Sequence, residues 1–145
     1  MKKASWVLLA LVGVLTIFGG LASLTLAYSG RTDPLAAGAT VEGVSAGNPE
    51  LATALRARRA TAAAYAVAFG TLFLAVVLGP YRGGDRWSWW ALLTASAVLA
   101  VLAVLRIPML GTRRGTAAAA LQLAVVVVAL LLDVRRVRAP LPPAP

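Results

Sequence analysis

Charged residues divide the chain into four long uncharged stretches. The stretches lie between Lys3 and Arg31, Arg59 and Arg82, Arg86 and Arg106, and Arg114 and Asp133, and contain 27, 22, 19 and 18 residues. An apolar helix needs about 20 residues to cross the hydrocarbon core of a bilayer. The pattern therefore predicts an all-α fold, a transmembrane bundle of four helices. The predicted spans are about 5–28, 60–79, 87–106 and 115–132.

The segments between the spans predict how the helices are connected. Residues 1–138 read as a single transmembrane domain, with one longer loop between the first two helices and a short hairpin between the second and third. Residues 139–145 contain four prolines and are predicted to be a disordered tail.

Three polar or proline-containing sites predict helix ends. Asn48-Pro49-Glu50 is typical of a helix start, because Asn caps, Pro suits the first turn and Glu complements the helix dipole. The second helix then begins well before its span, and it should end near Leu78, ahead of Gly79-Pro80. The third helix should end at Arg106 and Pro108, since proline lacks the amide that continues a helix.

The first uncharged stretch allows two interpretations. A positive start followed by an apolar run is typical of a signal peptide. We favour an uncleaved helix, because the run is longer than a signal core and Trp6 and Tyr28 lie at its ends like interfacial anchors. Its small residues form one helical stripe, which predicts either a dimer face or packing within the same bundle. The stripe consists of Gly13, Thr16, Gly20, Ser23 and Ala27.

Composition excludes several classes of function. The chain is 60% hydrophobic and 13% charged, and its net charge of +9 comes from cations at the ends of the apolar runs. That placement favours contact with anionic lipids over binding of nucleic acid. The chain contains no cysteine and no histidine, and none of its five acids falls in a predicted span. We therefore expect no enzyme activity, no catalytic residue, no metal and no cofactor.

Residue usage and charge also suggest a location. The chain is rich in Ala, Val and Gly, and arginine outnumbers lysine 12 to 2, which is typical of a GC-rich bacterium. The two sides of a four-span topology carry seven basic residues each, so the positive-inside rule does not decide the orientation. Two lysines against one arginine around the first span favour termini in the cytoplasm. The predicted location is the bacterial cytoplasmic membrane.

Two features outside the hairpin are candidate contacts. Arg56, Arg58 and Arg59 form a cationic cluster that either binds a lipid headgroup or another anion, or serves as an interfacial collar. Gln122 is the most polar side chain within a span. It predicts either a ligand contact or a hydrogen bond to a neighbouring helix. Hydroxyl groups in the spans are weaker candidates, because they can bond to carbonyls of their own helix. They belong to Thr71, Thr94 and Ser96.

The hairpin between the second and third spans is the densest motif. Arg82, Asp85 and Arg86 precede Trp87 and Trp90, which share one helix face. The intervening Trp89 points elsewhere. Tryptophan prefers the bilayer interface, and an arginine here is placed to stack on an indole. The motif predicts recognition of a headgroup or a protein partner, or else a rigid anchored turn.

The hairpin carries a resemblance. Its pattern Tyr-Arg-x-Gly-Asp-Arg-Trp-x-Trp-Trp resembles small bacterial four-helix integral membrane proteins with an Arg-x-Gly-Asp/Glu-Arg-Trp-x-Trp hairpin, for which we know of no activity. The resemblance covers Arg82 to Trp90, with weaker support from Asn48-Pro49-Glu50-Leu51. It implies the four-helix architecture and no reaction.

Two functional hypotheses follow. The first is a non-enzymatic structural or accessory protein that interacts with another membrane protein or with copies of itself. The alternative is a binder or carrier of lipid or of a hydrophobic small molecule, which requires a cavity with converging polar groups.

Overall fold

The computed structural model describes residues 2–29, 39–110 and 115–134, and helices dominate this part of the chain. They are α1 (Lys2–Tyr28), α2 (Val41–Val44), α3 (Pro49–Val76), a π-helical turn (Val77–Tyr81), α4 (Arg86–Leu110) and α5 (Thr116–Leu131). The all-α prediction is confirmed. The predicted tail at 139–145 lies outside the described residues.

Three of these helical segments are long and apolar enough to cross a membrane. They are Ala4–Tyr28, Pro49–Tyr81 and Arg86–Met109. The fourth, α5, is also apolar but has only 16 residues, fewer than the predicted span at 115–132. The described chain therefore matches a protein built from membrane-crossing helices.

Local hydrogen bonds explain where α2 and α3 begin. The Thr40 hydroxyl accepts the backbone N–H of Gly43 at 3.1 Å and caps α2. The side-chain oxygen of Asn48 accepts the N–H of Leu51 at 3.0 Å. Each bond satisfies an amide that the first helical turn leaves without a backbone partner. The predicted start of the second long helix is confirmed.

Two predicted helix ends are wrong, and both involve proline. The helix does not stop before Gly79-Pro80 but widens into a π-helical turn, in which the N–H of Arg82 reaches the carbonyls of Gly79 and Val77. The wider turn accommodates a residue that has no amide and crowds the preceding turn. Likewise α4 passes through Pro108 to Leu110. Proline is tolerated in membrane helices where the freed backbone groups are satisfied in other ways.

The described chain divides into two compact units. Unit one comprises the described parts of Met1–Val12 and Phe73–Pro145, and unit two comprises those of Gly13–Leu72. The grouping of all helices into a single domain stays a prediction.

In unit two, glycines bring α1 and α3 into close contact. A Cβ added to Gly20 would lie 2.7 Å from Val67 Cγ2, and one added to Gly70 would lie 2.8 Å from Ile17 Cγ1. Each helix thus offers a glycine to a branched side chain of the other. The small-residue stripe of α1 packs within the chain, as the second interpretation predicted, and close approach of this kind strengthens dispersion contacts between helices in lipid.

In unit one, α4 and α5 pack as an antiparallel pair. The indole Nε1 of Trp89, near the start of α4, donates to the carbonyl of Leu130 at 3.1 Å. At the other end, the hydroxyl of Thr116 donates to the carbonyl of Ala103 at 3.5 Å. These two bonds set the register along the pair.

Replacing Gly20 by alanine should destabilise the protein by about 1–3 kcal/mol, the usual range for overpacking. The new methyl would clash with Val67 and with the backbone oxygen of Ala63, 3.1 Å away. Gly19→Ala is the matched control, because a Cβ there has no neighbour within 4 Å. Unfolding in detergent micelles or by steric trapping in bilayers measures the difference. Equal stability of the two variants would contradict the close-packing account.

Candidate functional site

A buried hydrogen bond ties the π-helical turn to the N-terminal helix in unit one. The hydroxyls of Ser5 and Tyr81 lie 2.5 Å apart, and both side chains are fully buried. Leu9 and Val77 are equally buried and belong to the same two segments, one turn from Ser5 and Tyr81. The contact joins residues 76 positions apart, and no pattern in the sequence pointed to it.

Arg82 lies next to this bond and stacks on an aromatic ring. Its guanidinium carbon is 5.2 Å from the centre of the Trp6 ring, within the range of a cation–π interaction. The predicted stacking of an arginine on an indole is confirmed, although the indole comes from α1 and not from the hairpin. Arg82 itself remains exposed.

Asp85 organises the start of α4. One of its carboxylate oxygens accepts the N–H of Trp87 at 3.3 Å, and its carbonyl accepts the hydroxyl of Ser88 at 2.6 Å. These bonds close the turn and direct Ser88 inwards, where it is fully buried. The neighbouring Arg86, the first residue of α4, is exposed.

The three tryptophans divide between the interior and the surface. Trp89 is 8% exposed, whereas Trp87 and Trp90 are 64% and 51% exposed. Trp89 and Trp90 meet edge to face, with ring centres 4.8 Å apart. The prediction that Trp87 and Trp90 share one face while Trp89 points elsewhere is confirmed. The outer face is open to headgroups or to a partner.

Trp90 also begins an open apolar groove along α4, which we call the α4 groove. Its volume is about 390 Å³. It is lined by Trp90, Leu93, Thr94, Ala97, Val98, Val101 and Leu102. The spacing of three and four residues places all of them on one side of the helix. This side differs from the one that packs on α5, which carries Leu92, Ser96 and Ala100.

In unit two, the arginine cluster does not converge on a common point. Arg56 forms an ion pair with Glu42 at 2.9 Å, which ties α3 to α2. The Nε of Arg59 donates to the hydroxyl of Ser23 on α1 at 3.2 Å. Arg58 is exposed. Two of the three arginines therefore join elements within the unit, and Arg58 is the one whose side chain faces outwards.

The ion pair alters the acidity of Glu42. A hydrogen bond from its own backbone N–H, the hydrogen bond from Arg56, and a smaller contribution from Thr40 together lower the pKa of the Glu42 carboxyl. All three favour the charged form. The Glu42 carboxyl that links α2 to α3 therefore keeps its charge to a lower pH than an ordinary glutamate.

Gln122 lies in the packed part of α5. Its amide nitrogen is buried and makes no hydrogen bond within the part of the chain that the structure describes. The predicted hydrogen bond from this amide to a neighbouring helix is therefore not seen. The hydroxyl of Ser96 on α4 is in the same condition, so it does not make the bond to its own helix that is usual for serine in a membrane span.

No protein-family model, no curated protein and no solved structure matches the chain. Its function is therefore inferred from its own geometry.

Replacing Tyr81 by phenylalanine should destabilise unit one by about 1–3 kcal/mol, because it removes the partner of a fully buried hydroxyl. Tyr65→Phe is the control, since that side chain is 73% exposed. Unfolding of both variants in the same detergent measures the effect. If both substitutions are equally harmless, the Ser5–Tyr81 bond does not hold this unit together.

Replacing Arg56 by glutamine should raise the pKa of Glu42 part of the way to its ordinary value, because the backbone hydrogen bond remains. A carboxyl whose pKa is lowered by folding stabilises the fold above its ordinary pKa, and this contribution disappears as the pH falls through the lowered value. Titration of the carboxyl carbon by NMR measures the shift. Arg58→Gln should leave the midpoint unchanged, and an equal shift in both variants would argue against the ion pair.

Proposed function

We propose that this protein is a multi-pass integral protein of the bacterial cytoplasmic membrane that acts by association and not by catalysis. It would be a structural or accessory subunit that packs against another membrane protein. The observation that carries this proposal is the α4 groove, an open apolar surface on a helix whose opposite side is already packed. Three helices long and apolar enough to cross a membrane supply the setting.

The shape of the α4 groove suits a partner helix. Thr94 and Ala97 are small, while Trp90, Val101 and Leu102 are large and more than half exposed. Small residues between large ones let the backbone of a second helix approach closely. In lipid, burial of apolar surface does not drive helices together, so the dispersion contacts made at close approach supply the attraction. An apolar helix of a partner protein is the occupant that this surface fits.

The remaining helices complete the proposed arrangement. We infer a bundle of four spans in which the short α5 crosses a locally thinned bilayer, with both termini in the cytoplasm. The exposed Arg58, Arg86 and Trp87 would lie at the interface and contact anionic headgroups. The resemblance of the hairpin to small bacterial four-helix membrane proteins supports the same architecture.

Buried hydroxyls support a non-catalytic role. Ser5 bonds to Tyr81, and Ser88 bonds to the carbonyl of Asp85. Both hydroxyls are thus engaged in holding the fold. A serine nucleophile needs an activating base, and the chain has no histidine to provide one.

Site-specific cross-linking in native membranes tests the proposal. The chain contains no cysteine, so Ala97→Cys gives this protein a single thiol, and a photoactivatable maleimide attached to it reports on the α4 groove in adducts that contain this chain. We expect one adduct of defined mass, identified by mass spectrometry and lost when Thr94→Leu fills the groove. Leu121→Cys on α5, which is 66% exposed, is the control. Adducts of the same pattern from both positions, or adducts that survive Thr94→Leu, would refute the groove as a docking site.

A second candidate function, a carrier of lipid or of a hydrophobic small molecule, is supported by the volume of the same groove but not by its lining, which is open and almost wholly apolar and offers no converging polar groups. About 390 Å³ falls within the range of small-molecule pockets. Native mass spectrometry separates the two functions. A lipid that is retained by the wild type and lost in Thr94→Leu would support the carrier, whereas a retained protein partner would support the accessory subunit.

A further inference from the structure

We propose that Arg82, held against the ring of Trp6, binds the phosphate of an anionic lipid headgroup. The proposal rests on the membrane location proposed above and not on the α4 groove. The two residues directly follow Tyr81 and Ser5, whose hydroxyls form the buried hydrogen bond of unit one. That bond therefore fixes the backbone next to both residues, while the Arg82 side chain remains exposed.

Stacking positions the guanidinium of Arg82 and leaves its donors available. The guanidinium carbon lies over the Trp6 ring, 5.2 Å from the ring centre. This contact engages the charge of the arginine but supplies no acceptor for its five N–H groups. Within the described chain the side chain of Arg82 forms neither an ion pair nor a hydrogen bond. A positioned cation is thus left with unused donors.

The nearest acid in the sequence does not neutralise Arg82. Asp85 lies three residues further on, but its carboxylate accepts the backbone N–H of Trp87 at 3.3 Å. Among the described residues it forms no ion pair with Arg82 or with the equally exposed Arg86. The turn therefore carries two arginines and one acid, and its net charge is positive.

The turn also leaves room for a ligand beside Arg82. Gly83 and Gly84 are the next two residues, and a Cβ added to either one would meet no other part of the described chain within 4 Å. Because Arg82 is exposed and these glycines are uncovered, a phosphate oxygen can approach the guanidinium without displacing a side chain.

The chemistry of the site favours the phosphate of an anionic lipid. A guanidinium offers paired N–H groups that match two oxygens of one phosphate. Tryptophan prefers the depth of the headgroups in a bilayer, so Trp6 places Arg82 where lipid phosphates lie. The ring face that would attract a choline ammonium is covered by Arg82. An anionic headgroup carries no cation that competes with Arg82 for the phosphate, so the site should prefer it to a zwitterionic one.

Native mass spectrometry of the full chain tests the site, in mild detergent containing phosphatidylcholine and titrated with phosphatidylglycerol. We expect the wild type to retain phosphatidylglycerol in preference. Arg82→Gln should weaken this binding about tenfold, as expected for the loss of charge-assisted hydrogen bonds. Arg82→Lys should weaken it too, because lysine keeps the charge but lacks the planar fork. Arg58→Gln is the matched control. It removes an exposed arginine of unit two and should change the affinity by less than about twofold.

Trp6→Leu separates a positioned site from simple charge attraction. The net charge is unchanged, but Arg82 loses its stacking surface, so the affinity for phosphatidylglycerol should fall about fivefold. Wild-type affinity in this variant would overturn the proposal, as would equal effects of Arg82→Gln and Arg58→Gln. Arg82→Gln changes an exposed side chain, so the comparison of the two arginines holds even if Trp6→Leu does not fold.

Two further measurements separate the source of the phosphate and the membrane setting. Inorganic phosphate in excess should not displace the retained lipid, and displacement would show that the site takes free phosphate instead. A wild type that enters lipid nanodiscs but retains both lipids equally would overturn the headgroup site and leave the membrane location standing. A chain that stays dissolved without detergent or lipid would overturn that location itself.

Discussion

Membrane-crossing helices must satisfy the polar groups that they bury without help from solvent, and this constraint shapes most of what the structure shows. The helix itself pairs the backbone, and side chains then use the remaining acceptors. Thr71 bonds to a carbonyl of its own helix, Trp89 to one at the end of α5, and Ser5 to Tyr81. In hydrocarbon an unpaired group would cost several kcal/mol, so each of these bonds restricts how its segment packs.

The two units meet a second constraint in different ways. Between helices in lipid, burial of apolar surface gives little net advantage, so packing and hydrogen bonds must supply the attraction. Unit two relies on the reciprocal contacts of Gly20 and Gly70, supplemented by a bond from Arg59 to α1. Unit one relies on aromatic side chains with a polar end, Tyr81 and Trp89, whose rings fill space while their polar ends form hydrogen bonds with distant parts of the chain.

The parts of the fold that could be predicted depend on local signals. Charges mark the ends of apolar runs, Asn48 marks a helix start, and helical periodicity places Trp89 opposite its neighbours. The continuation of the helix through Pro80 could not be predicted. Whether a helix breaks or widens at a proline depends on the tertiary contacts of the following turn, and here that turn buries Tyr81. The candidate site joins distant parts of the chain. The Ser5–Tyr81 bond connects residues 76 positions apart, and no local pattern in the sequence relates them.

The two sides of α4 therefore carry different chemistry for different contacts. On its inner side the helix carries Trp89, whose indole donates to the carbonyl of Leu130 on α5, and the buried Ser96. Towards the outside it presents Thr94 and Ala97 between larger apolar side chains. A surface that met only lipid chains would have no need of small residues aligned between large ones, because fluid chains adapt to any outline. A partner with a fixed backbone does need such a recess, and this contrast favours a protein helix as the occupant of the α4 groove.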